Sequence, residues 1–331
     1  MTHTTKLIFF ILGAAIISTM AIIPVQAAPS HYGVQQTFTL GDAGKWDYTD
    51  VDQVRHRLYL TRGDRVQVLQ LPSGKVIGQI SNTAGVHGVA FAQDLKFGFT
   101  SNGASNSISV FDLDTLKIKQ EIKISGSNPD AIFYEPASHH LYTFNGKSAT
   151  VTVIDTANMK EIATIAVNGR PEFAVSDQAG KIFVNIVDKA EINVIDVASN
   201  KVLDHWPLQG CEEPTGLAID VKNARLFSVC KNKVMAVTDA KTGRAIMQVA
   251  IGEHPDAAIY DATTATVFSS NGDAGGTLTV IHQQSADQYA VQEQLVTLQG
   301  AKTMAMDRSS NALYLPALKD KVFSVLVVAP K

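Results

Sequence analysis

The chain has 331 residues and is 45% hydrophobic, which is enough for one large β domain or two smaller ones. Its 28 basic and 31 acidic residues give a net charge of −3, and this balance argues against nonspecific attraction to nucleic acid or to an anionic membrane. Only two cysteines are present, so the fold does not depend on a disulfide framework.

Residues 1–27 have the pattern of a secretory signal peptide. A single basic residue, Lys6, precedes an apolar run that ends before Pro24, and the following V-Q-A places small residues at a cleavage site after Ala27. The alternative is an uncleaved anchor, because the apolar run nearly reaches the length that spans a bilayer. Pro24 and the small residues favour cleavage, so we expect a periplasmic or secreted protein that retains no membrane span.

After this segment, one phrase returns along the chain. Residues 148–155 read S-A-T-V-T-V-I-D, alternating β-branched with small residues and ending in aspartate. Related segments end at Asp112, Asp196, Asp239 and His282, so the phrase recurs at intervals of 41 to 43 residues. Alternation with period two is typical of a half-buried strand. The phrase therefore predicts the third strand of a repeating unit.

A second repeating feature is a short apolar strand centred on an aromatic residue, which occurs seven times. The seven are Tyr59, Phe99, Tyr142, Phe183, Phe227, Phe268 and Tyr314. Each unit adds Gly- or Pro-containing turns and further short strands, and no helical period follows the signal segment. Four strands in about 42 residues are typical of a propeller blade. The sequence predicts an all-β fold, a seven-bladed β-propeller with four-stranded antiparallel blades.

The two ends of the repeat indicate how the ring closes. The seventh unit ends with V-F-S-V-L-V-V-A-P-K and lacks an outer strand, whereas residues 34–40, V-Q-Q-T-F-T-L, precede the first unit without a partner. We expect this N-terminal strand to complete the blade that contains Tyr314, which removes the exposed edges of an open ring. Residues 28–331 are then predicted to be a single propeller domain and a monomer.

The repeat residues resemble the YVTN family of β-propeller repeat proteins. The resemblance rests on G-x-x-P turns, strand ends such as L-Y-T-F-N, F-T-S-N and F-S-S-N, and the phrase T-V-T-V-I-D, and it covers nearly all of the chain after the signal segment. It implies a propeller fold and, for function, secreted binding and surface proteins, a DNA-binding member, and neighbours among lactonases and haem- or quinone-linked oxidoreductases. Several units depart from the pattern, with Gln70 and His282 in place of the strand-end aspartate and Trp46 and Ala301 in place of the loop proline.

In a propeller, the loops that enter the innermost strands lie around one mouth of the central channel, where ligands usually bind. Aligning the units on their aromatic residue places charged side chains at or beside one position of these loops. They are Asp47, His87, Asp130, Arg170, Glu172, Glu213, His254, Asp256 and Lys302. An aspartate after proline often binds only nearby backbone amides. Crowded acids repel one another unless a cation or basic ligand shares the site, so the set predicts a binding site at the channel mouth.

A divalent cation is one ligand that this set favours, although the sequence does not identify a cofactor. The candidate metal ligands are Asp47, Asp130, His254 and Asp256. Carboxylate and amide oxygens suit calcium, whereas histidines suit a transition metal. The Asn-Gly loops at Asn102, Asn145 and Asn271 are predicted on the same face, as turns that need positive φ. By resemblance to lactonase-type propellers, their side-chain amides are further candidate ligands.

The two cysteines lie in one unit. Folding that unit about its V-K-N-A turn at residues 221–224 places Cys230 opposite Thr215, with Cys211 in the loop above. A disulfide between Cys211 and Cys230 is therefore expected in an oxidising compartment. The alternative is a soft-metal site that combines these thiols with Met304, Met306 or His254.

The sequence contains no haem-attachment, zinc-protease, nucleophile-elbow or phosphate-loop motif. We expect an exported binding protein that holds a small molecule, a metal or a protein partner on the channel face and has no catalysis of its own. The first alternative is a metal-assisted lactonase or related hydrolase, in which a cation polarises a carbonyl and a rim carboxylate or His254 acts as base. DNA binding is the second alternative, which the acidic balance opposes.

Overall fold

The computed structural model describes residues 1–2, 31–273 and 275–331. These residues form a β-propeller of 27 strands, with one short 3₁₀ helix, Val187–Lys189. Nearly all of the predicted signal peptide, including the cleavage site after Ala27, lies outside the described residues. Within the described ranges, no helix is long and apolar enough to cross a membrane.

The first strand, β1 (Tyr32–Gly41), belongs to the last blade, and the ring begins with the next element. Blade 1 consists of β2 (Thr49–Asp52), β3 (Arg57–Thr61), β4 (Gly63–Gln70) and the first part of β5 (Lys75–Ala92). Blade 2 consists of the rest of β5 with β6 (Phe97–Asn102), β7 (Ser107–Asp112) and β8 (Ile118–Lys123). The remaining blades are separate four-stranded sheets.

The middle of the ring is formed by four of these sheets. Blade 3 contains β9 (Pro129–Glu135), β10 (His140–Asn145), β11 (Thr150–Asp155) and β12 (Lys160–Ala166). Blade 4 contains β13 (Pro171–Ser176), β14 (Lys181–Ile186), β15 (Glu191–Asp196) and β16 (Lys201–Pro207). Blade 5 contains β17 (Pro214–Asp220), β18 (Arg225–Cys230), β19 (Val234–Asp239) and β20 (Ala245–Ala250). Blade 6 contains β21 (Pro255–Asp261), β22 (Thr266–Asn271), β23 (Thr277–Ser285) and β24 (Gln288–Val296).

Blade 7 confirms the predicted closure of the ring. Its strands are β25 (Ala305–Asp307), β26 (Ala312–Lys319), β27 (Val322–Pro330) and, as the outermost strand, β1. β1 pairs antiparallel with β27, from Tyr32 opposite Pro330 to Gly41 opposite Phe323. The first strand of the structure thus pairs with the last one.

The connection between blades 1 and 2 differs from the separate strands that the repeat predicts. β5 pairs with β4 in its first part and with β6 in its second, so the two blades form one seven-stranded sheet. This unit has His87 and Gly88 where other units have proline. No proline removes a backbone N–H there, which allows the strand to continue through the connection. The proline is also replaced by Trp46 and Ala301 in blades 1 and 7, whose inner strands are nevertheless separate from the preceding strand.

The repeating aromatic residues form the core between blades. All seven are at most 1% exposed. Tyr314, for example, packs in one cluster with Val51 and Leu58 of blade 1 and with Phe38 of β1. Each aromatic strand is the second of its blade, so its central side chain is covered by sheets on both sides. The spacing of one buried ring per unit follows from this arrangement.

The aspartate that ends the repeated phrase has a local structural role. Asp112 accepts hydrogen bonds from the backbone N–H groups of Asp114 and Thr115, and Asp239 accepts them from Lys241 and Thr242. These bonds stabilise the turn that leads to the outer strand. Backbone donors from this turn hold the pKa of the Asp112 carboxyl below its usual range.

Cys211 and Cys230 are joined by a disulfide, with Cα atoms 5.4 Å apart, and both residues are buried. The prediction that Thr215 lies opposite Cys230 was wrong by one residue. Pro214 pairs with Cys230, because the register shifts between Pro214 and Leu217. Among the described cysteines no free thiol remains, so the soft-metal alternative lacks its thiolate ligands.

We expect the substitution Phe38→Ala to destabilise the closed ring. Phe38 is 6% exposed, stacks at 6.2 Å from the ring of Tyr314, and packs so closely on Gly74 of blade 1 that a Cβ there would overlap it. Removing a buried ring costs about 3–5 kcal/mol. Chemical denaturation should report this loss, while the exposed Gln36→Ala in the same strand should change stability by less than about 0.5 kcal/mol. Equal effects of the two variants would contradict the role of β1 in closure.

Candidate functional site

Three of the charged residues of the mouth lie at the beginning of innermost strands. β9, β13 and β21 each begin with proline, and Asp130, Glu172 and Asp256 follow directly. Proline is suited to the first residue of a strand, where no ladder N–H is required. Because the strands line one channel, each carboxylate is delivered to the same end of that channel. Asp47 and Lys302 precede the inner strands of their own blades.

Asp47, His87 and Asp130 form a compact cluster from three consecutive blades. His87 Nδ1 lies 2.6 Å from Asp47 Oδ2 and 3.6 Å from Asp130 Oδ1. One ligand atom from each residue lies within 4.8 Å of the other two. Burial opposes protonation of His87, but the hydrogen bond to Asp47 and the charge of Asp130 outweigh it and raise the pKa of the imidazole. Burial, with the charges of Asp47 and Asp256, raises the pKa of Asp130 to about 6.

Glu172 is the acid of the mouth whose negative charge is least balanced by hydrogen bonds or by a nearby positive charge. Its Oε2 atom is buried, accepts no hydrogen bond, and lies 3.6 Å from Arg170 Nη1. Oε1 accepts a long hydrogen bond of 3.5 Å from the Tyr48 hydroxyl. Burial, followed by the charges of Asp130 and Asp256, raises the pKa of Glu172 to about 8. The carboxyl is therefore poised to change charge near neutral pH.

Asp256 and Lys302 form an ion pair beside this cluster. Lys302 Nζ donates to Asp256 Oδ2 at 2.6 Å. Burial raises the pKa of Asp256, and the lysine only partly offsets the effect. For Lys302, burial acts in the opposite direction, but the attraction of Asp256 prevails and raises the pKa of the ammonium. The mouth thus contains four carboxylates from four blades and three nearby basic groups, Lys302, His87 and Arg170.

Two of the residues predicted at the mouth lie apart from this cluster. Glu213 pairs with Lys231, and His254 Nδ1 contacts Asp273. Both partners lie in the loop between the second and third strands of the same blade. The side chain of His254 is 60% exposed. The structure does not place it with Asp47 and Asp130, which cluster with His87 instead.

The three asparagines of the Asn-Gly loops are buried inside their blades. Asn102 Nδ2 donates to the hydroxyls of Ser107 and Ser109, and Asn145 Nδ2 donates to those of Thr150 and Thr152. Asn271 forms the same kind of bond within blade 6. Their exposure is at most 1%, so these amides hold the second and third strands together and do not project into the mouth. The prediction of positive φ in these loops was wrong, because neither the three asparagines nor the glycines that follow them have a positive φ.

Tyr48 is a site residue that the sequence reasoning missed. It belongs to blade 1, yet its ring lies 5.5 Å from that of Phe173 in blade 4, so it crosses the channel. Burial and the surrounding carboxylates raise the pKa of its hydroxyl well above the usual value, and it remains a neutral donor. The equivalent residues Gly88, Ala131 and Ala257 are small, whereas the equivalent residue of blade 4 is Phe173 itself. An aromatic residue at a position of small residues was the available signal.

Solved structures share this architecture. A chain of the Kuenenia stuttgartiensis hydrazine synthase is 14% identical, with a TM-score of 0.74 over 94% of this chain and 100% of that one. A chain of the mitotic checkpoint complex is also 14% identical, with a TM-score of 0.78 over 97% of this chain and 98% of that one. At this identity the likeness shows the propeller fold alone. No protein-family profile matches the chain, and no curated protein does.

We expect the stability of the metal-free protein to decrease as the pH rises from about 4.5 to 8. In this window the folded protein keeps a proton on Glu172, whose pKa is raised from 4.5 to about 8, and the unfolded chain has released it. Folding therefore takes up a proton, and stability falls with increasing pH. The pKa of Asp130 is raised from 3.8 to about 6, so this carboxyl also lowers the stability as the pH rises, over a lower pH range.

Melting temperatures measured in chelator at pH 5, 7 and 9 test this expectation. Glu172→Gln should flatten the decrease, because an uncharged side chain carries no such penalty. The control is Glu213→Gln, which removes an exposed acid whose pKa is lowered by Lys231. If both variants retain the slope of the parent protein, Glu172 is not the titrating group.

Proposed function

We propose that this protein is an exported propeller that binds a cationic ligand or partner at the mouth formed by Asp47, His87, Asp130, Glu172 and Asp256. The observation that carries the proposal is the convergence of four carboxylates on one end of the channel. Buried like charges cost free energy unless an opposite charge neutralises them. Lys302 pairs with Asp256, His87 with Asp47, and Arg170 lies 3.6 Å from Glu172, so four carboxylates face three basic groups, and a bound cation would neutralise the remaining charge.

A divalent metal ion is the cation best matched by the three clustered residues. Asp47 and Asp130 offer oxygen and His87 offers nitrogen, with the atoms close enough for a shared ion. A mixed nitrogen and oxygen set favours zinc or manganese over calcium, which prefers oxygen ligands. Protonation of His87 competes with such binding, so affinity should weaken as the pH falls.

A metal-assisted hydrolase is the second candidate, and Glu172 is the observation that favours it. A carboxyl with a pKa of about 8, next to a metal-binding cluster, has the proton affinity of a general base at neutral pH. In this role Glu172 would take a proton from a water molecule while the metal polarised the substrate carbonyl. Metal-dependent hydrolysis of a simple lactone, lost in Glu172→Gln with metal binding retained, would favour the enzyme.

The family assignment is also a proposal. The repeated phrase and the G-x-x-P turns support membership of the YVTN propellers, which include secreted binding proteins. The carboxylates of the mouth oppose DNA binding on this face, because they would repel phosphate.

We expect the double substitution Asp130→Asn with Asp256→Asn to weaken cation binding without unfolding the protein. The amides keep the size of the carboxyls and remove two negative charges, so the ligand-free variant should melt no lower than the parent. Calorimetric titration with zinc, manganese and calcium tests the binding. The parent should bind one ion, and the variant should lose at least about tenfold in affinity, or 1.4 kcal/mol.

A matched control is Asp64→Asn with Asp320→Asn, which removes two exposed acids outside the mouth. This control should bind the ion with the affinity of the parent. Full binding by the mouth variant, or equal losses in both variants, would refute the mouth as the cation site.

Export is the remaining part of the proposal. When the full chain is expressed in a bacterium, we expect the mature protein to begin at Ala28 and to be recovered from the periplasm or medium. Intact-mass measurement tests this expectation. A membrane-bound protein that retains Met1 would favour the uncleaved anchor.

A further inference from the structure

The channel continues beyond Tyr48 as a second compartment. A cavity of about 290 Å³ extends from Tyr48 to the far ends of the innermost strands at Gln53 and Arg308. Much of its wall is apolar. The apolar side chains include Val89, Ile132, Phe173, Leu217, Ile259 and Met304. The acids of the mouth do not line it, so the two compartments share Tyr48 and present different chemistry.

Two charged residues line this cavity without an ionic partner. Asp50 accepts a hydrogen bond of 2.7 Å from the N–H of Val51, and the Arg308 guanidinium donates one long bond of 3.5 Å to the carbonyl of Tyr260. In the part of the chain that the structure describes, neither side chain forms a salt bridge. Asp50 and Arg308 are both accessible to solvent within the open cavity. Enclosure by the surrounding protein still raises the pKa of Asp50 to about 6, although the charge of Arg308 opposes the shift.

The volume and the charges together restrict the ligand. An apolar cavity of about 150 Å³ is enough to bind benzene, so 290 Å³ accommodates a ring or a branched alkyl group with a short polar end. A ligand with an ammonium group alone would leave Arg308 unpaired, and a carboxylate alone would leave Asp50 unpaired. Asp50 and Arg308 are solvated in the free protein, and a ligand that displaces this water without pairing a charge loses affinity.

We propose that this cavity binds a small zwitterion with an apolar body, the chemical class of the apolar amino acids. The ammonium group pairs with Asp50, the carboxylate pairs with Arg308, and the side chain packs among Phe173, Leu217 and Met304. This site is separate from the mouth, and the proposal does not depend on the proposed cation binding.

In the first experiment, the mature protein is titrated with three probes that each contain a phenyl ring. Binding is measured by ligand-observed NMR and calorimetry. The probes are L-phenylalanine, phenethylamine and 3-phenylpropionate, which carry both charges, the ammonium alone and the carboxylate alone. We expect saturable binding of L-phenylalanine, at least about tenfold tighter than that of either analogue, because a bond to a charged group is lost in each. Equal binding of one analogue, or no saturation below about 10 mM, overturns the proposal.

Variants test whether the binding occurs in this cavity. Asp50→Asn and Arg308→Gln should each weaken L-phenylalanine binding at least about tenfold and should reduce its preference over the analogue that lacks the matching charge. Val175→Phe, which places a ring at a half-buried position of the wall, should block binding by filling space. Melting curves establish that each variant is folded.

The matched control is Arg244→Gln, which removes an exposed arginine in an outer hairpin of blade 5. It should bind L-phenylalanine with the affinity of the parent. If Arg308→Gln and Arg244→Gln bind equally, or if Val175→Phe binds as the parent does, the ligand lies elsewhere and the proposal fails.

Discussion

The pairing of β1 with β27 is the interaction on which the ring depends. Backbone hydrogen bonds along this pair join the first strand of the structure to the last, and without them β27 would be an exposed sheet edge. The pairing also positions Phe38 against blade 1. Since every inner strand faces the same channel, the mouth keeps its shape only while blade 7 remains packed against blade 1.

The repeat and the closure were predictable because they depend on local patterns. A buried ring in each unit and a strand without a partner at each end are visible in the sequence, and the structure confirms the propeller they predict. The direction of the loop side chains was not predictable. Glu213 and His254 have left-handed backbones, with φ of 45° and 49°, and both side chains contact the loop between the second and third strands of their own blade. Hydrophobic periodicity does not report such a backbone conformation.

The site also required information that no single unit contains. Asp47, His87 and Asp130 come from three blades, and their chemistry arises from mutual distance and shared burial. Alignment of the units identified the carboxylates of the mouth, but it could not identify Glu172 as the one with the least compensation. That property follows from the buried Oε2 atom and from the long bond to Tyr48. A protein retains such costly groups where binding or chemistry needs them.

Tyr48 gives the channel two environments. Its ring lies against Phe173 on the opposite side, and its hydroxyl is directed toward Glu172. A ligand that enters from the mouth meets carboxylates and the hydroxyl, whereas one that enters from the other face meets the ring and apolar side chains. Any ligand long enough to span both must displace Tyr48, which breaks its contact with Phe173 and removes the donor from Glu172. Two aromatic residues, Tyr48 and Phe173, at a position where the other blades have small residues, therefore limit each compartment to a short ligand.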